Sequence, residues 1–219
     1  MEVVSKKILD VPYYIQPTDY TCQSTVCKMV VEYLLPKGSK ERSLISVIEE
    51  TEIYNLINYD SNRPNKTTTN SWANMIWWMQ KHVIYKFQDI YPTDNWSAIN
   101  ALKKSINNFY PVIIGVTHSR NIGGHVILVV GYKETQIVIG NLTTVITTTF
   151  YCHDPYGHYF KTGRQDDNQY GLKRSVMNLV GGGQSGAGAF VLYSLDGVKR
   201  VNENIFQFMI IPPEAQVSK

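Results

Sequence analysis

The hydrophobic pattern of this chain changes character near residue 110. Before that point, apolar residues recur at the three- and four-residue spacing of amphipathic helices. After it, continuous β-branched runs are bounded by Gly, Asn or Asp, which is typical of buried strands. Helices first and an antiparallel sheet afterwards predict an α+β domain. Because neither a repeat nor a linker divides the 219 residues, we expect one domain over residues 1–219.

Four segments of the first half predict helices. The first covers residues 22–35 and carries one apolar stripe, with Thr21 as a capping residue before it. Two more are expected around 43–57 and 71–83, and a fourth after Asp94. The apolar residues that would face the core from the fourth helix are Trp96, Ile99, Leu102 and Ile106.

Apolar runs in the second half predict the strands, including a last strand pair near the C-terminal end. In chain order the expected strands cover residues 111–116, 125–132, 136–139, 145–151, 189–195 and 206–211. The segment from Tyr156 to Gly188 is polar and glycine-rich, so we expect a long surface loop that could line a site. Within it, residues 181–186 match a nucleotide-binding pattern formally, but they precede a strand instead of opening a helix. No cofactor is predicted.

Charge and hydropathy exclude several classes of function. The formal net charge of +3 comes from scattered Lys and Arg, so no nucleic-acid partner is expected. No apolar run approaches the ~20 residues that span a bilayer, and the first residues lack the apolar core of a signal peptide. We therefore expect a soluble protein without membrane insertion, cytoplasmic in the cell that makes it.

The three cysteines predict neither a disulfide framework nor a zinc site. Cys22, Cys27 and Cys152 are odd in number and stand at no metal-ligand spacing, so at least one thiol is free. Cys152, His153 and Asp154, with His158 nearby, are residue types that bind metals. Because no second cluster accompanies them, no metal is predicted.

Cys22 is the first candidate for chemistry. It falls at the N-terminus of the first predicted helix, where unpaired N–H groups and the positive dipole end stabilise a thiolate. A cysteine on an apolar helix face is, by itself, more often a small core residue. Gln16, six residues upstream, could donate its side-chain amide to an oxyanion beside the thiol, although a lone Gln in a turn is more often solvated.

A histidine and an aspartate complete the candidate site. His125 opens an apolar strand after two glycines and could act as the base, whereas the alternative is a half-buried strand histidine. Asp154 ends a later strand before Pro155 and could orient the histidine, although an Asp before Pro is commonly a turn former. His153 is a rival base that alternates away from Asp154 on an extended strand. Three other histidines fit less well, namely His82, His118 and His158.

These motifs resemble the bacteriocin-leader-peptidase-like branch of the papain-like cysteine peptidases. Residues 11–16 and 19–22 are similar to the start of that branch, and residues 124–132 and 154–155 match its histidine and aspartate motifs in the same order. The resemblance covers about two thirds of the chain and implies a papain-like fold. Members commonly have Gly directly after the cysteine, where this chain has Gln23.

The resemblance implies a stand-alone cysteine peptidase or amidase that uses Cys22, His125, Asp154 and Gln16. Related stand-alone domains occur in bacteria and in phage lysins or virion proteins, so peptides of bacterial peptidoglycan are the expected substrate. One alternative is a deamidase or acyl-transferase toxin that acts on a host protein. The other is a catalytically silent binding or structural module of a virion; any virion or secretion-machine partner stays unidentified.

Overall fold

The computed structural model describes residues 2–116, 124–139, 142–157, 188–194 and 208–210. In these ranges helices pack on an antiparallel sheet, which confirms the expected α+β class. The helices are α1 (Cys22–Leu34), α2 (Lys40–Val47), α3 (Glu50–Tyr59), α4 (Trp72–Gln80) and α5 (Asn95–Asn107). None of the helices in the described part of the chain combines the length and hydropathy needed to cross a bilayer.

Helix α1 is the centre of the helical layer. The sequence predicts one buried stripe, but every residue from Cys22 to Glu32 is buried. The cause is its position, because α1 packs against α2, α3 and α4 on one side and against the sheet on the other. Polar residues on α1 are consequently enclosed, and each needs a partner or a function.

One predicted helix is two. The expected helix over 43–57 is interrupted at Ile48, whose backbone is extended (φ −67°, ψ 132°). Lys28 of α1 stabilises the break, since its Nζ donates to the Ile48 carbonyl at 2.7 Å and to Glu50 Oε1 at 3.0 Å. The buried Lys28 ammonium therefore donates to the Ile48 carbonyl, which in a continuous helix would accept a backbone hydrogen bond.

Helix α5 begins as predicted but presents a different face. Asp94 is its N-cap and accepts a hydrogen bond from the Ser97 N–H at 2.8 Å. The expectation that Trp96 is buried is wrong, because its side chain is 76% exposed. The buried stripe instead begins two residues later, at Ala98, which is completely buried. Its members are Ala98, Leu102, Ser105 and Ile106.

The strands in the described ranges form one sheet. They are β1 (Glu2–Ile8), β2 (Gln88–Ile90), β3 (Val112–Val116), β4 (His125–Ile139), β5 (Leu142–His153), β6 (Val191–Ser194) and β7 (Phe208–Ile210). Their order is β2-β7-β3-β4-β5-β6, and β1 pairs with the second half of β4. Strands β1 and β2 are absent from the sequence prediction, because neither has an apolar run long enough to stand out.

Two strand predictions are corrected. The runs 125–132 and 136–139 are one strand, because the polar residues between them continue the pairing with β1 and β5. Glu134 is buried there and is bonded to Lys103 Nζ at 2.7 Å. The last two strands do not form a pair, since β6 pairs with β5 and β7 lies between β2 and β3. Most of the predicted loop between Tyr156 and Gly188 falls outside the described residues.

The Lys28–Glu50 ion pair makes the helical layer testable. Lys28→Met leaves the Glu50 carboxylate buried without its cation, so we expect the free energy of unfolding to fall by about 3 kcal/mol in urea denaturation. Lys37→Met is the matched control, because the Lys37–Asp10 pair is exposed and contributes little. Equal effects of the two substitutions would contradict this role for Lys28.

Candidate active site

Cys22 is the first residue of α1 and is 7% exposed. Thr21 stands at the N-cap, yet its side chain makes no capping bond to the helix. The Thr21 hydroxyl is used in the preceding turn, where it accepts from the Thr18 N–H and donates to the Thr18 carbonyl, both at 3.2 Å. Because the N-cap side chain does not bind the first N–H groups of α1, these groups can donate to an anion at this end of the helix.

His125 lies between the thiol and a carboxylate. It is the first residue of β4, is 4% exposed and places its Nε2 2.8 Å from Asp154 Oδ1. The ring also makes a hydrogen bond with the Cys22 side chain, which leaves Nδ1 as the nitrogen that faces the thiol. Burial lowers the pKa of His125, but the charge and hydrogen bond of Asp154, together with those of Cys22, raise it to about 10.

Asp154 is completely buried directly after β5. Besides His125, its carboxylate accepts from the Tyr193 hydroxyl at 2.9 Å and from the Tyr156 N–H at 3.1 Å. The bond to Tyr156 forms the Asx turn that Asp before Pro predicts, so the turn-forming role and the contact with histidine coexist. Three donors fix the plane of the carboxylate and hence the orientation of the imidazole.

Gln16 connects the turn before Cys22 to the turn after β5. Its backbone N–H donates to the Pro155 carbonyl at 3.1 Å, and its Nε2 donates to the Thr18 carbonyl at 2.6 Å. The side chain is fully buried, and among the described residues its Oε1 has no hydrogen-bond partner. One of the two Nε2 hydrogens is committed to Thr18, so the second is the one that could donate to a ligand.

Gly188 packs directly on the backbone of Asp154. Its carbonyl accepts from the Asp154 N–H at 2.8 Å, and a Cβ at residue 188 would stand 1.8 Å from the Asp154 carbonyl oxygen. Only glycine allows this approach. Gly188 is the last residue of the segment that the sequence predicts to line a site; residues 158–187 of that segment lie outside the described ranges.

A cleft of about 440 Å3 opens over Cys22 and His125. Its walls come from the helical layer and from the ends of β3 and β4, and include Tyr20, Gln23, Asn70, Trp72, Met75 and Gly115. Trp72 and Met75 also pack on the core, so these two side chains contact both the core and the cleft. The cleft is therefore partly aromatic and partly amide-lined.

The other histidines either make contacts away from Cys22 or lie outside the described residues. His153 is buried, with Nε2 3.0 Å from the Val11 carbonyl and Nδ1 accepting from the Phe190 N–H at 3.2 Å. Burial lowers its pKa to about 4, which keeps the ring neutral. His82 packs on Trp78, with ring centroids 4.7 Å apart. The other two, His118 and His158, are not among the described residues.

Cys152, His153 and Asp154 diverge instead of converging on one ion. Cys152 lies in the hydrophobic core, His153 bonds backbone groups and Asp154 bonds His125. Burial raises the pKa of the Cys152 thiol well above its ordinary value, and the same holds for Cys27. Within the described ranges no group of three ligand-type residues could hold a metal.

Sequence reasoning missed the tyrosines that surround Asp154. Tyr193 bonds the carboxylate, the Tyr13 hydroxyl bonds the Asp154 carbonyl at 3.1 Å, and Tyr156 bonds Asp19 at 3.0 Å. Burial and the charge of Asp154 raise the pKa of Tyr13, which keeps it a donor. With fifteen tyrosines in the chain, no local signal marks these three.

Helices on an antiparallel sheet, with a thiol and an imidazole meeting where the layers join, define a papain-like cysteine peptidase. The chain belongs to the Peptidase_C39-like family, whose model matches residues 8–175, more than half of the sequence. This confirms the resemblance that the motifs around Cys22, His125 and Asp154 carry.

Two crystal structures accompany the family match. A candidate C39-like peptidase from Bacillus anthracis is 16% identical, with a TM-score of 0.44, over 95% of this chain and 98% of that one. UfSP from C. elegans is 10% identical, with a TM-score of 0.43, over 96% of this chain and 35% of that one. A search of curated proteins returns no match.

The two buried histidines should titrate at opposite ends of the pH scale. We expect His125 to stay protonated until about pH 10 and His153 to stay neutral until about pH 4, measured by NMR of the imidazole signals. Because His125 binds its proton more tightly when folded, its contribution to stability is complete below pH 6.5 and declines as pH rises to about 10.

Asp154→Asn separates the causes of this shift. Without the carboxylate charge, burial opposes only the contribution of Cys22, so the pKa of His125 should fall and the loss of stability should begin at lower pH. The His153 signals serve as the internal control. A His125 titration unchanged by Asp154→Asn would contradict the assignment of Asp154 as its partner.

Proposed function

We propose that the chain hydrolyses amide bonds with Cys22 as nucleophile, His125 as general base and acid, and Asp154 as the group that orients His125. The observation that carries the proposal is the buried sequence of contacts from the Cys22 thiol to His125 and from His125 Nε2 to Asp154 at 2.8 Å. This sequence of contacts opens into a cleft. A nucleophile, a base and an orienting carboxylate in contact are the parts that acyl transfer requires.

In the proposed acylation, the Cys22 thiolate, paired with the His125 imidazolium, attacks the amide carbonyl. The carbonyl π electrons move to oxygen, where the Cys22 N–H and the second Nε2 hydrogen of Gln16 donate to the oxyanion. The tetrahedral intermediate collapses as the C–N bond breaks, and His125 gives its proton to the leaving amine. A thioester on Cys22 remains.

Deacylation repeats the steps with water. His125 takes a proton from water as the oxygen attacks the thioester carbonyl, and the C–S bond then breaks. The carboxylic acid leaves, and His125 keeps the proton beside the restored Cys22 thiolate. The pKa of about 10 for His125 suits the imidazolium form that protonates the leaving amine, because Asp154 stabilises the charge. No cofactor takes part in this scheme.

For the substrate we propose short peptides of bacterial peptidoglycan. The support is the resemblance to stand-alone members of this group, together with a cleft that joins aromatic Tyr20 and Trp72 to the glycines Gly115 and Gly124, of which Gly124 has open space around it. Glycines leave room for a main chain to approach the thiol, and aromatic rings bind apolar faces.

Variants test the chemical roles on purified peptidoglycan, with product masses identifying the bond cut. We expect no product from Cys22→Ser and a fall of about 10²–10⁴-fold in rate for His125→Ala. For Gln16→Ala we expect a fall of about 10²–10³-fold, as for loss of one oxyanion donor. Cys152→Ser is the matched control, because that thiol is buried in the core and should leave the rate near that of the parent.

Different outcomes exclude different parts of the proposal. Release by Cys22→Ser at the parent rate would exclude Cys22 as the nucleophile. Absence of release by the parent, combined with His125-dependent alkylation of Cys22 by iodoacetamide, would exclude the substrate and keep the chemistry. In that case glutamine deamidation on protein substrates is the reaction to assay, because it proceeds through the same thioester.

A further inference from the structure

Gln23 is a buried amide that the proposed chemistry does not use. It follows Cys22 on α1, is 1% exposed and lines the same cleft. Among the residues that the structure describes, its Nε2 finds no hydrogen-bond partner.

Neighbouring hydrogen bonds fix which end of the Gln23 amide is free. Asn58 Oδ1 accepts from the Asn70 N–H at 2.6 Å, so the other atom of the Asn58 amide must be the donor. Asn58 Nδ2 donates to the Tyr54 carbonyl at 2.9 Å and to Gln23 Oε1 at 3.3 Å. Gln23 Oε1 is therefore the held atom, and its NH2 group is the end left for a ligand.

A buried donor without a partner destabilises the empty protein, so its retention beside a nucleophile indicates a ligand that completes it. The donor selects an acceptor oxygen and disfavours an apolar group. The cleft also contains Asp19, and the one cation of its described lining, His125, is already paired with Asp154 and Cys22, which disfavours a carboxylate. A neutral amide carbonyl meets these requirements, because it offers an acceptor oxygen, is polar and carries no negative charge.

We infer that Gln23 is a specificity-determining residue whose Nε2 binds a main-chain carbonyl oxygen of a peptide substrate while Cys22 attacks a neighbouring carbonyl. Asn58 is a positioning residue for this subsite, because it holds Gln23 Oε1 and is itself held by the backbone of Asn70. The inference rests on the proposed function, since it takes the cleft over Cys22 as the substrate cleft.

A pair of peptide aldehydes tests the subsite. N-acetyl-alanyl-alaninal forms a hemithioacetal with Cys22, in which the S–C bond forms, the carbonyl π electrons move to oxygen and the His125 proton ends on that oxygen. Its analogue replaces the alanyl carbonyl with a methylene group. Inhibition constants are measured as protection of Cys22 from alkylation by iodoacetamide, read by peptide mass.

In the parent we expect the carbonyl-containing aldehyde to bind about fivefold more tightly than the methylene analogue, as one neutral hydrogen bond provides. In Gln23→Met, which keeps the length and lacks the donor, we expect the ratio to approach one. Gln80→Met is the matched control, since Gln80 is exposed on α4 and should keep the parent ratio. A ratio in Gln23→Met equal to that of the parent overturns the inference.

A second measurement in the parent does not depend on how a variant folds. The side-chain amide signals of Gln23, assigned in 15N-glutamine-labelled protein, should shift downfield with the carbonyl-containing aldehyde and stay in place with the analogue. The same shift with both compounds also overturns the inference. Failure of the proposed function looks different, because Cys22 would then be alkylated equally fast in parent and His125→Ala protein and neither aldehyde would protect it.

Discussion

A carboxylate without solvent contact is the constraint on which this structure depends. Asp154 is fully buried, and a buried charge is tolerated only when donors surround it. Its donors come from β4 through His125, from β6 through Tyr193 and from the turn that follows β5. Strand order and register must therefore be correct across three neighbouring strands before the carboxylate is satisfied. The same bonds aim the His125 ring at the start of α1.

The central helix imposes a second constraint of the same kind. Because α1 is enclosed on every side, its polar residues are satisfied by the elements around it. Lys28 bonds the break between α2 and α3, and Glu32 accepts from Tyr14 and pairs with Arg42 at 3.6 Å. These contacts fix α1 within the helical layer, so that Cys22 meets the sheet at the level of His125. Of the buried polar side chains of α1, only that of Gln23 retains a donor without a partner among the described residues.

The sequence predicts those features that depend on local periodicity. Helix α1 and the opening of β4 at His125 are visible because their apolar spacing is regular and their ends carry turn residues. The break at Ile48 is invisible, since it depends on Lys28 twenty residues away. Trp96 is exposed and Glu134 is buried for similar reasons, because distant partners determine which side of an element faces the core.

The same distinction applies to the site. Cys22, His125, Asp154 and Gln16 can be proposed from order and resemblance, although their catalytic roles stay predictions. Tyr193 cannot, because its bond to Asp154 spans 39 positions and nothing near it in the sequence differs from the other tyrosines. The amide relay from Asn70 through Asn58 to Gln23 is equally non-local. Hydrogen bonds between residues distant in sequence therefore cannot be predicted from local sequence patterns.

The position of β7 has a consequence for synthesis on the ribosome. It is the last strand of the described chain, yet it lies inside the sheet between β2 and β3. While the chain emerges N-terminal end first, the elements that carry Cys22, His125 and Asp154 are translated before β7. The nascent chain therefore passes through a stage in which the edge of β3 is unpaired. A chaperone or another unfolded chain would bind to the free backbone groups of that edge.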